Sequence, residues 1–366
     1  MDYEYAIVGG GIVGLSVAYG LARIGRRLAV FDEGDGAFRA SRGNFGLVWV
    51  QGKGAHAPDY ARWTRNSAAA WADFAAELTD EVGGDLTLTQ KGGFHYHLDE
   101  EGLHEEAALY ETLKTALDDD YPFEVLGHNA LKKEEPNIGP NVAGAILHHE
   151  DGHVNPLRLL RTLASAVRAT GVEVHNGVSV EAVEPIENGY RIKRADGTSY
   201  KALKVVLCAG LGAAKLGPRL GFKAPVRPQR GHVLITSRMP KIMHRPSGTL
   251  RQVDEGGVQI GASADEAGLN DRDDVMTSAA LAREAVEVFP ALEKASLVRS
   301  WAALRIMSPD GLPIYEQSAS HPGAYMTTCH SGITLAAAHA RFLPLWLEGA
   351  KNAPDLTSFS EVRFNG

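Results

Sequence analysis

Tyr5-Ala-Ile-Val8 is a short apolar run near the start of the chain, glycines follow at positions 9, 10, 11 and 14, of which 9, 11 and 14 have the G-x-G-x-x-G spacing, and an apolar segment at helical spacing extends from Ile12 to Gly25. Leu28-Ala-Val-Phe31 is a second apolar run that Asp32 ends, so this region predicts a strand, a tight turn, a helix and another strand. From Tyr60 to Leu117 the pattern is mostly amphipathic and helical. Leu86 to Leu98 interrupts it with period two around Gly92-Gly93, which predicts strands flanking a turn. Asn155-Pro156 reads as an N-cap followed by the first helical position, with a helix to Thr170 that Gly171 closes. Strands are predicted at Val172–Val174 and Val178–Val180, then a hairpin through Asp196-Gly197, then a strand over Lys204–Gly210. Further strands are predicted at Gly231–Thr236 and Gly257–Ala262, with a helix at Ala279–Val288. After Trp301 come a Pro/Gly loop, a strand at Ala324–Thr328 and a helix from Gly332 onward.

The glycines carry chemistry because of their order. Gly9 permits a tight turn, Gly11 lets the backbone approach a pyrophosphate, and Gly14 allows helix to pack closely on strand. The helix N-terminus adds unpaired N–H groups and partial positive charge. Asp32 stands 23 residues after Gly9, where a carboxylate accepts ribose hydroxyls and repels a 2′-phosphate, which disfavours NADP. The expected fold is α/β (α+β overall), a Rossmann-like nucleotide domain from residues 1–58, 150–225 and 301–366, interleaved with an antiparallel-sheet substrate domain from 59–149 and 226–300. The loop Ala40-Ser-Arg-Gly-Asn-Phe-Gly46 offers N–H groups and Arg42 to a phosphate.

Composition narrows the partners. The 366 residues are 44% hydrophobic and 22% charged, as in ordinary globular proteins, and the net charge of -8 argues against nucleic acid. Cys208 and Cys329 fit neither a disulfide framework nor a metal spacing, so a reducing cytoplasm is expected. No signal-peptide pattern and no apolar run of about 20 residues is present, which predicts no transmembrane segment.

Together with Gly9 to Gly14 and Asp32, the segments Ala40-Ser-Arg-Gly-Asn44, Val206-Leu-Cys-Ala-Gly210, Leu304-Arg305, Pro309-Asp-Gly-Leu-Pro313 and Thr328-Cys-His-Ser-Gly332 resemble the D-amino-acid oxidase superfamily of flavoproteins across nearly the whole chain. Within it the chain looks most like the glycine oxidase and sarcosine oxidase branch. The stretches Ser41–Gln51 and Thr328–Leu335 look like the flavin subunits of opine oxidases and D-hydroxyproline dehydrogenases. The resemblance implies FAD, which the fingerprint alone does not select. It places the adenosine on Gly9, Gly11, Gly14 and Asp32, and further cofactor contacts at Ser41, Arg42, Asn44, Val180, Ala209, Gly210, Ser331, Gly332, Ile333 and Thr334. The Ser331-Gly332 turn before an apolar helix would supply donors to the N1/O2 edge of the flavin. Trp301 to Asp310 lacks the cysteine that tethers flavin in sarcosine oxidase-like members, so FAD is expected to be non-covalent.

Arg305 is implied to bind the substrate carboxylate, and an arginine among Trp301, Leu304 and Ile306 is costly without an anion. His330 is assigned a place beside the flavin. Here the chain departs from the Gly-His-Ser-Gly-His-Gly of many relatives, reading Cys329-His330-Ser331-Gly332-Ile333. The implied reaction is hydride transfer to flavin N5 from the amine-bearing carbon of an amino acid, imino acid or opine-like N-substituted amino acid, giving an imine. No general base is named. The rivals are 2-hydroxy-acid oxidation, with His330 as base, and a flavin-binding subunit inactive without its partner. Opine-oxidising complexes also imply hetero-oligomeric electron-transfer subunits, and any iron–sulfur cluster would lie on another chain. His95 with His97, and His148, His149 and His153, match no known ligand spacing, so no metal is expected. His95 or Tyr96 could line the pocket; Val48–Lys53 passes near the flavin, with Trp49 and Gln51 read as core.

Overall fold

A computed structural model describes residues 1–34 and 40–365. The chain begins with β1 (Tyr3–Val8), α1 (Ile12–Arg23) and β2 (Leu28–Phe31), then β3 (Leu47–Val48) and the long α2 (Pro58–Val82). Next come β4 (Gly93–His97), α3 (Glu100–Ala116), β5 (Phe123–Gly127), α4 (His128–Glu134), β6 (Gly144–His148) and β7 (Gly152–His153). The chain continues through α5 (Pro156–Ala169), β8 (Glu173–His175), β9 (Val180–Ile186), β10 (Gly189–Arg194), β11 (Ser199–Leu207) and α6 (Ala213–Leu216). Then follow β12 (Arg227–Thr236), β13 (Leu250–Gln252), β14 (Val258–Gly261), α7 (Val275–Val288) and β15 (Leu297–Met307). The last elements are β16 (Ile314–Gln317), β17 (Ala324–Thr328), α8 (Ala336–Arg341) and α9 (Leu343–Leu347).

The largest sheet runs β16-β17-β11-β1-β2-β8, with β10 beside β11 and β9 beside β10. Its centre is parallel and buried on both faces. Tyr5 and Ile7 enter one core with α1, α2, α5 and α8, while Ala6 and Val8 enter another with Leu207, Leu220 and Phe222, as period-two alternation requires. A second, antiparallel sheet runs β13-β14-β12-β15, and a third runs β4-β6-β5. A bridge between Phe94 and Ser247 and a core containing Phe94, Leu147, Leu234 and Phe289 join these two.

Several boundaries differ from those expected. Only Gly93–His97 of the alternating Leu86–Leu98 stretch forms a strand, and it pairs with β6 rather than folding back as a hairpin. Thr87, at φ 53 and anchored through its N–H to Asp85, breaks the extended run before the turn, leaving a single bridge at Thr89. Of Val178–Val180, only Val180 is in a strand. Residues 301–307, grouped by sequence with the nucleotide domain, lie within β15 of the second sheet. Conversely α2, grouped with the substrate domain, packs on α5 and α8. Asn155 caps α5 as expected, accepting from the Leu157 and Arg158 N–H groups.

Candidate active site

The parallel strands β1, β2, β11 and β17 end side by side, and a cavity of about 520 Å³ opens at those ends. In open α/β sheets this is where ligands bind. Gly9, Gly11, Asp32, Ser41, Val180, Ala209 and Gly210 line it, together with Lys215 and Asp271. A Cβ on Gly9 would lie 2.2 Å from the Cys208 carbonyl, and Gly9 has φ +111, so only glycine fits. Gly14 does not line the cavity. It sets the floor beneath it, since a Cβ there would fall 1.9 Å from the Gly9 carbonyl oxygen.

Two features position polar groups at this end. The Asp32 carboxylate accepts from the Gly10 N–H (2.6 Å) and the Gly34 N–H (2.8 Å), which fixes its orientation and leaves lone pairs for a ligand hydroxyl. The Ser41 hydroxyl accepts from the Ile12 N–H (3.0 Å) and so caps α1 from outside the helix. Arg42 lines neither cavity.

A second chamber of about 310 Å³ adjoins the first, and Val13, Ser41, Leu304, Ile306 and Cys329 line both. Arg305 on β15, His330, Lys53 and the turn Ser331–Thr334 surround it, with Asn44 on the loop wall. Asn44 serves that wall by accepting from the Gly46 N–H (2.8 Å). The turn stands where sequence placed the start of a helix. α8 begins only at Ala336, so the donors here belong to a turn, which α2 pins: Ser67 Oγ (2.6 Å) and Trp71 Nε1 (3.0 Å) both donate to the Thr334 carbonyl.

Arg305 enters this chamber half-buried. Its Nη1 donates to the Ser263 carbonyl (2.7 Å) and to Gln229 Oε1 (3.4 Å), and no carboxylate among the described residues pairs with it. Gly231 on β12 makes the room, because a Cβ there would lie 2.7 Å from Arg305 Nη2. Burial lowers the Arg305 pKa, against the attraction of Asp265. Lys53 donates to Ser331 Oγ (2.7 Å), which also accepts from the Tyr60 hydroxyl (2.8 Å). Burial pushes the Lys53 ammonium down to about 8, and Arg305 adds repulsion against the pull of Asp151 and Cys329. His330 projects into the chamber, exposed by area but walled in by protein. Desolvation, then the cations Lys53 and Arg305, push it down to about 3, so the ring is neutral. Burial likewise pushes the Cys329 thiol up to about 12.

Sequence reasoning brought Arg305, His330 and the 331–334 turn to one place but gave no role to Lys53 or Lys215, and it read Trp49 as core although Trp49 lines the chamber. Gln51 is buried, bonded to Asp151 and the Gly93 carbonyl. The available signal for Lys53 was its place in a Gln-Gly-Lys turn between an apolar strand and the Pro58 helix start. His95 and Tyr96 lie outside both chambers. His95 and His97 contact Glu106 at 2.7 and 2.6 Å.

The chain matches the FAD dependent oxidoreductase family over residues 4–343. It is 39% identical over 365 residues to a subunit of the opine oxidase of Rhizobium meliloti, covering 100% of this chain and 98% of the relative. Glycine oxidase of Geobacillus kaustophilus is 27% identical over 372 residues, covering 100% and 98%. The crystal structure of glycine oxidase from that organism superposes with a TM-score of 0.91 at 25% identity, covering 98% of each chain. The glycine-lined cavity thus sits in a chain whose whole length has an oxidoreductase counterpart, and the chain belongs to the FAD dependent oxidoreductase family.

Proposed function

We propose that this protein is an FAD-dependent dehydrogenase or oxidase acting on the C–N bond of amino acids, imino acids or opine-like N-substituted amino acids. The observation that carries this reading is Arg305, a guanidinium without a carboxylate partner among the described residues, projecting into a chamber that continues from the nucleotide cavity. Gly9, Gly11, Asp32, Ser41, Val180, Ala209 and Gly210 would hold the adenosine and pyrophosphate, over the floor made by Gly14. Ser331, Gly332, Ile333 and Thr334 would hold the ring end, with Asn44 ordering the loop. The crowding around Gly9 and the fixed Asp32 carboxylate fit such a dinucleotide. FAD, when bound, supplies the hydride acceptor.

Arg305 fixes the substrate carboxylate and so orients the amine-bearing carbon. A substrate amine that binds neutral supplies its own lone pair, so no side chain need act as base. His330 beside Lys53 and Arg305 makes a poor one, because nothing there stabilises imidazolium. This weighs against 2-hydroxy-acid oxidation, which requires removal of a hydroxyl proton. The product imine hydrolyses to a 2-oxo acid and amine, or persists where cyclic.

Non-covalent binding of the cofactor is supported by the absence of cysteine from Trp301 to Asp310, and a cytoplasmic setting fits two cysteines with no disulfide or metal spacing. By analogy with a relative named as a subunit, this chain passes electrons to partner subunits. No helix among the described residues is long and apolar enough to cross a membrane. Anaerobic mixing with D- and L-amino acids, proline derivatives, N-methylglycine and opines tests the reading. Bleaching of the bound flavin by one amine class supports it, and bleaching by 2-hydroxy acids alone overturns it. Acid precipitation that leaves flavin on the protein would overturn non-covalent binding.

A further inference from the structure

Side chains alternate along β4, so Phe94 and Tyr96 face one way and His95 and His97 the other. Phe94 enters an apolar core with Tyr96 packed against it, while α3 crosses the sheet on the histidine side and brings Glu106 back to both rings. His95 Nδ1 lies 2.7 Å and His97 Nε2 2.6 Å from Glu106 Oε2, and the three ligand atoms fall within 4.8 Å of one another. Glu106 is itself held, because its Oε1 accepts from the buried Tyr110 hydroxyl at 2.5 Å, one helical turn on. Gly102, in the first turn of α3, leaves room for the second ring, since a Cβ there would meet His97 Nδ1 at 3.3 Å. Two imidazole nitrogens and a carboxylate oxygen converging from a strand and a helix are a donor set for a divalent metal. Among the described residues no other three such atoms converge in this way, and the surface pair His149–Glu124 (2.8 Å) lacks a third ligand. Spacing along the chain conceals the set, because Glu106 comes nine residues after His97 and only the return of α3 over β4 brings it in.

We propose that His95, His97 and Glu106 form a zinc site that clamps α3 onto β4. Each neutral ring keeps its proton on the outward nitrogen and offers the inward lone pair to the metal. Zinc bonds of about 2.0–2.2 Å set tetrahedral ligand atoms about 3.3 Å apart, so the cluster opens by about 0.6 Å to admit the ion. His95, whose side chain is 46% exposed, makes that movement and leaves the fourth position to water. Tyr110 keeps the carboxylate aimed, as partners behind metal ligands do. The site lies outside both chambers, so it is independent of the amine-oxidising reading and adds no step to flavin reduction.

FAD-loaded protein, stripped with a chelator and dialysed, is titrated with Zn²⁺ alone by calorimetry. Wild type takes one equivalent with a Kd of about 1 μM or tighter, weaker than four-ligand zinc peptides, and its Tm rises by about 2–5 °C at saturation. His95→Gln, at an exposed position, loses at least tenfold in affinity together with the Tm rise. Tyr110→Phe keeps the stoichiometry and weakens binding about ten- to a hundredfold. His149→Gln, which removes a surface histidine of the same sheet, changes nothing. Co²⁺ in place of Zn²⁺ gives the visible bands of a tetrahedral site, absent in His97→Gln. A wild-type Kd weaker than about 100 μM, or binding that survives both His95→Gln and Glu106→Gln, overturns the site and leaves a hydrogen-bonded cluster that holds helix on strand. Binding lost in His149→Gln, or a flavin absorbance that shifts as Zn²⁺ is added, overturns it too, by placing the metal elsewhere.

Discussion

Replacing Arg305 with methionine removes a charge and a two-pronged donor while keeping most of the aliphatic volume. In the structure Nη1 is committed to the Ser263 carbonyl at 2.7 Å, so the prongs left for a carboxylate are Nε and Nη2. A hydrogen bond to a charged group contributes about 1.5–3 kcal/mol, so two together give about 3–6 kcal/mol and a fall in kcat/KM of about 10² to 10⁴. Arg305→Lys keeps the charge without the fork and falls between, at about 10 to 10². The assay is the anaerobic reductive half-reaction, in which the apparent Kd and the limiting rate of flavin reduction separate. The Kd rises most, and the limiting rate falls too because the reacting carbon is no longer aimed. Loss of the Ser263 contact costs about 1 kcal/mol of stability, so flavin content and Tm are measured alongside. A Met variant that holds its flavin and loses less than about threefold in kcat/KM would refute the assignment of Arg305 to the carboxylate.

Three further outcomes follow from the geometry. His330→Ala keeps its rate within about tenfold and shows no altered ionisation between pH 6 and 9, because His330 titrates near 3; a loss of about 10² would restore it as a base. Gly14→Ala drives a methyl to within 1.9 Å of the Gly9 carbonyl oxygen, so Tm falls by the equivalent of about 1–3 kcal/mol and FAD affinity at least tenfold. Unchanged flavin retention in that variant would show that the floor gives way. Lys53 has a folded value near 8 against an ordinary 10.5, lowered by burial and by Arg305 against Asp151 and Cys329. Its charge therefore opposes folding below pH 8, and that opposition fades between 8 and 10.5. Lys53→Met raises the apo Tm at pH 7, with the gain vanishing by pH 10.5; a gain that persists unchanged at pH 10.5 would assign it to packing rather than to the charge.

What the sequence disclosed was local. The strand, glycine turn, helix and Asp32 each follow from near neighbours, and the Asn155 cap needs only its own next three residues. Position in the fold was harder. The β4-β6-β5 sheet joins segments whose periodicity is too short to stand out, such as Phe123–Gly127, half exposed and carrying a glutamate. β15 looks like a separate strand and loop because Ala303 to Ile306 line a cavity rather than a uniform core. α8 starts late because Thr334 gives its carbonyl to α2, a contact some 260 residues distant in the chain. The segment Val48–Lys53 was legible as passing near the flavin, but no role for the Lys53 side chain was, because a lysine in a glycine-containing turn looks like any solvated loop until β15 and the 329–334 turn close over it.

The way the chain is threaded also governs how recognition can be inherited. β12 to β15 form one contiguous stretch, residues 227–307, that carries Arg305 and the Gly231 notch which admits it. Lys53 arrives on a different stretch, ahead of α2 and far upstream. A recombination event that exchanged the 227–307 block between relatives would move the Arg305 guanidinium and its notch intact while leaving the Lys53 ammonium behind. In this architecture the two cationic walls of the chamber can be revised by separate genetic changes, on an unaltered nucleotide-binding frame.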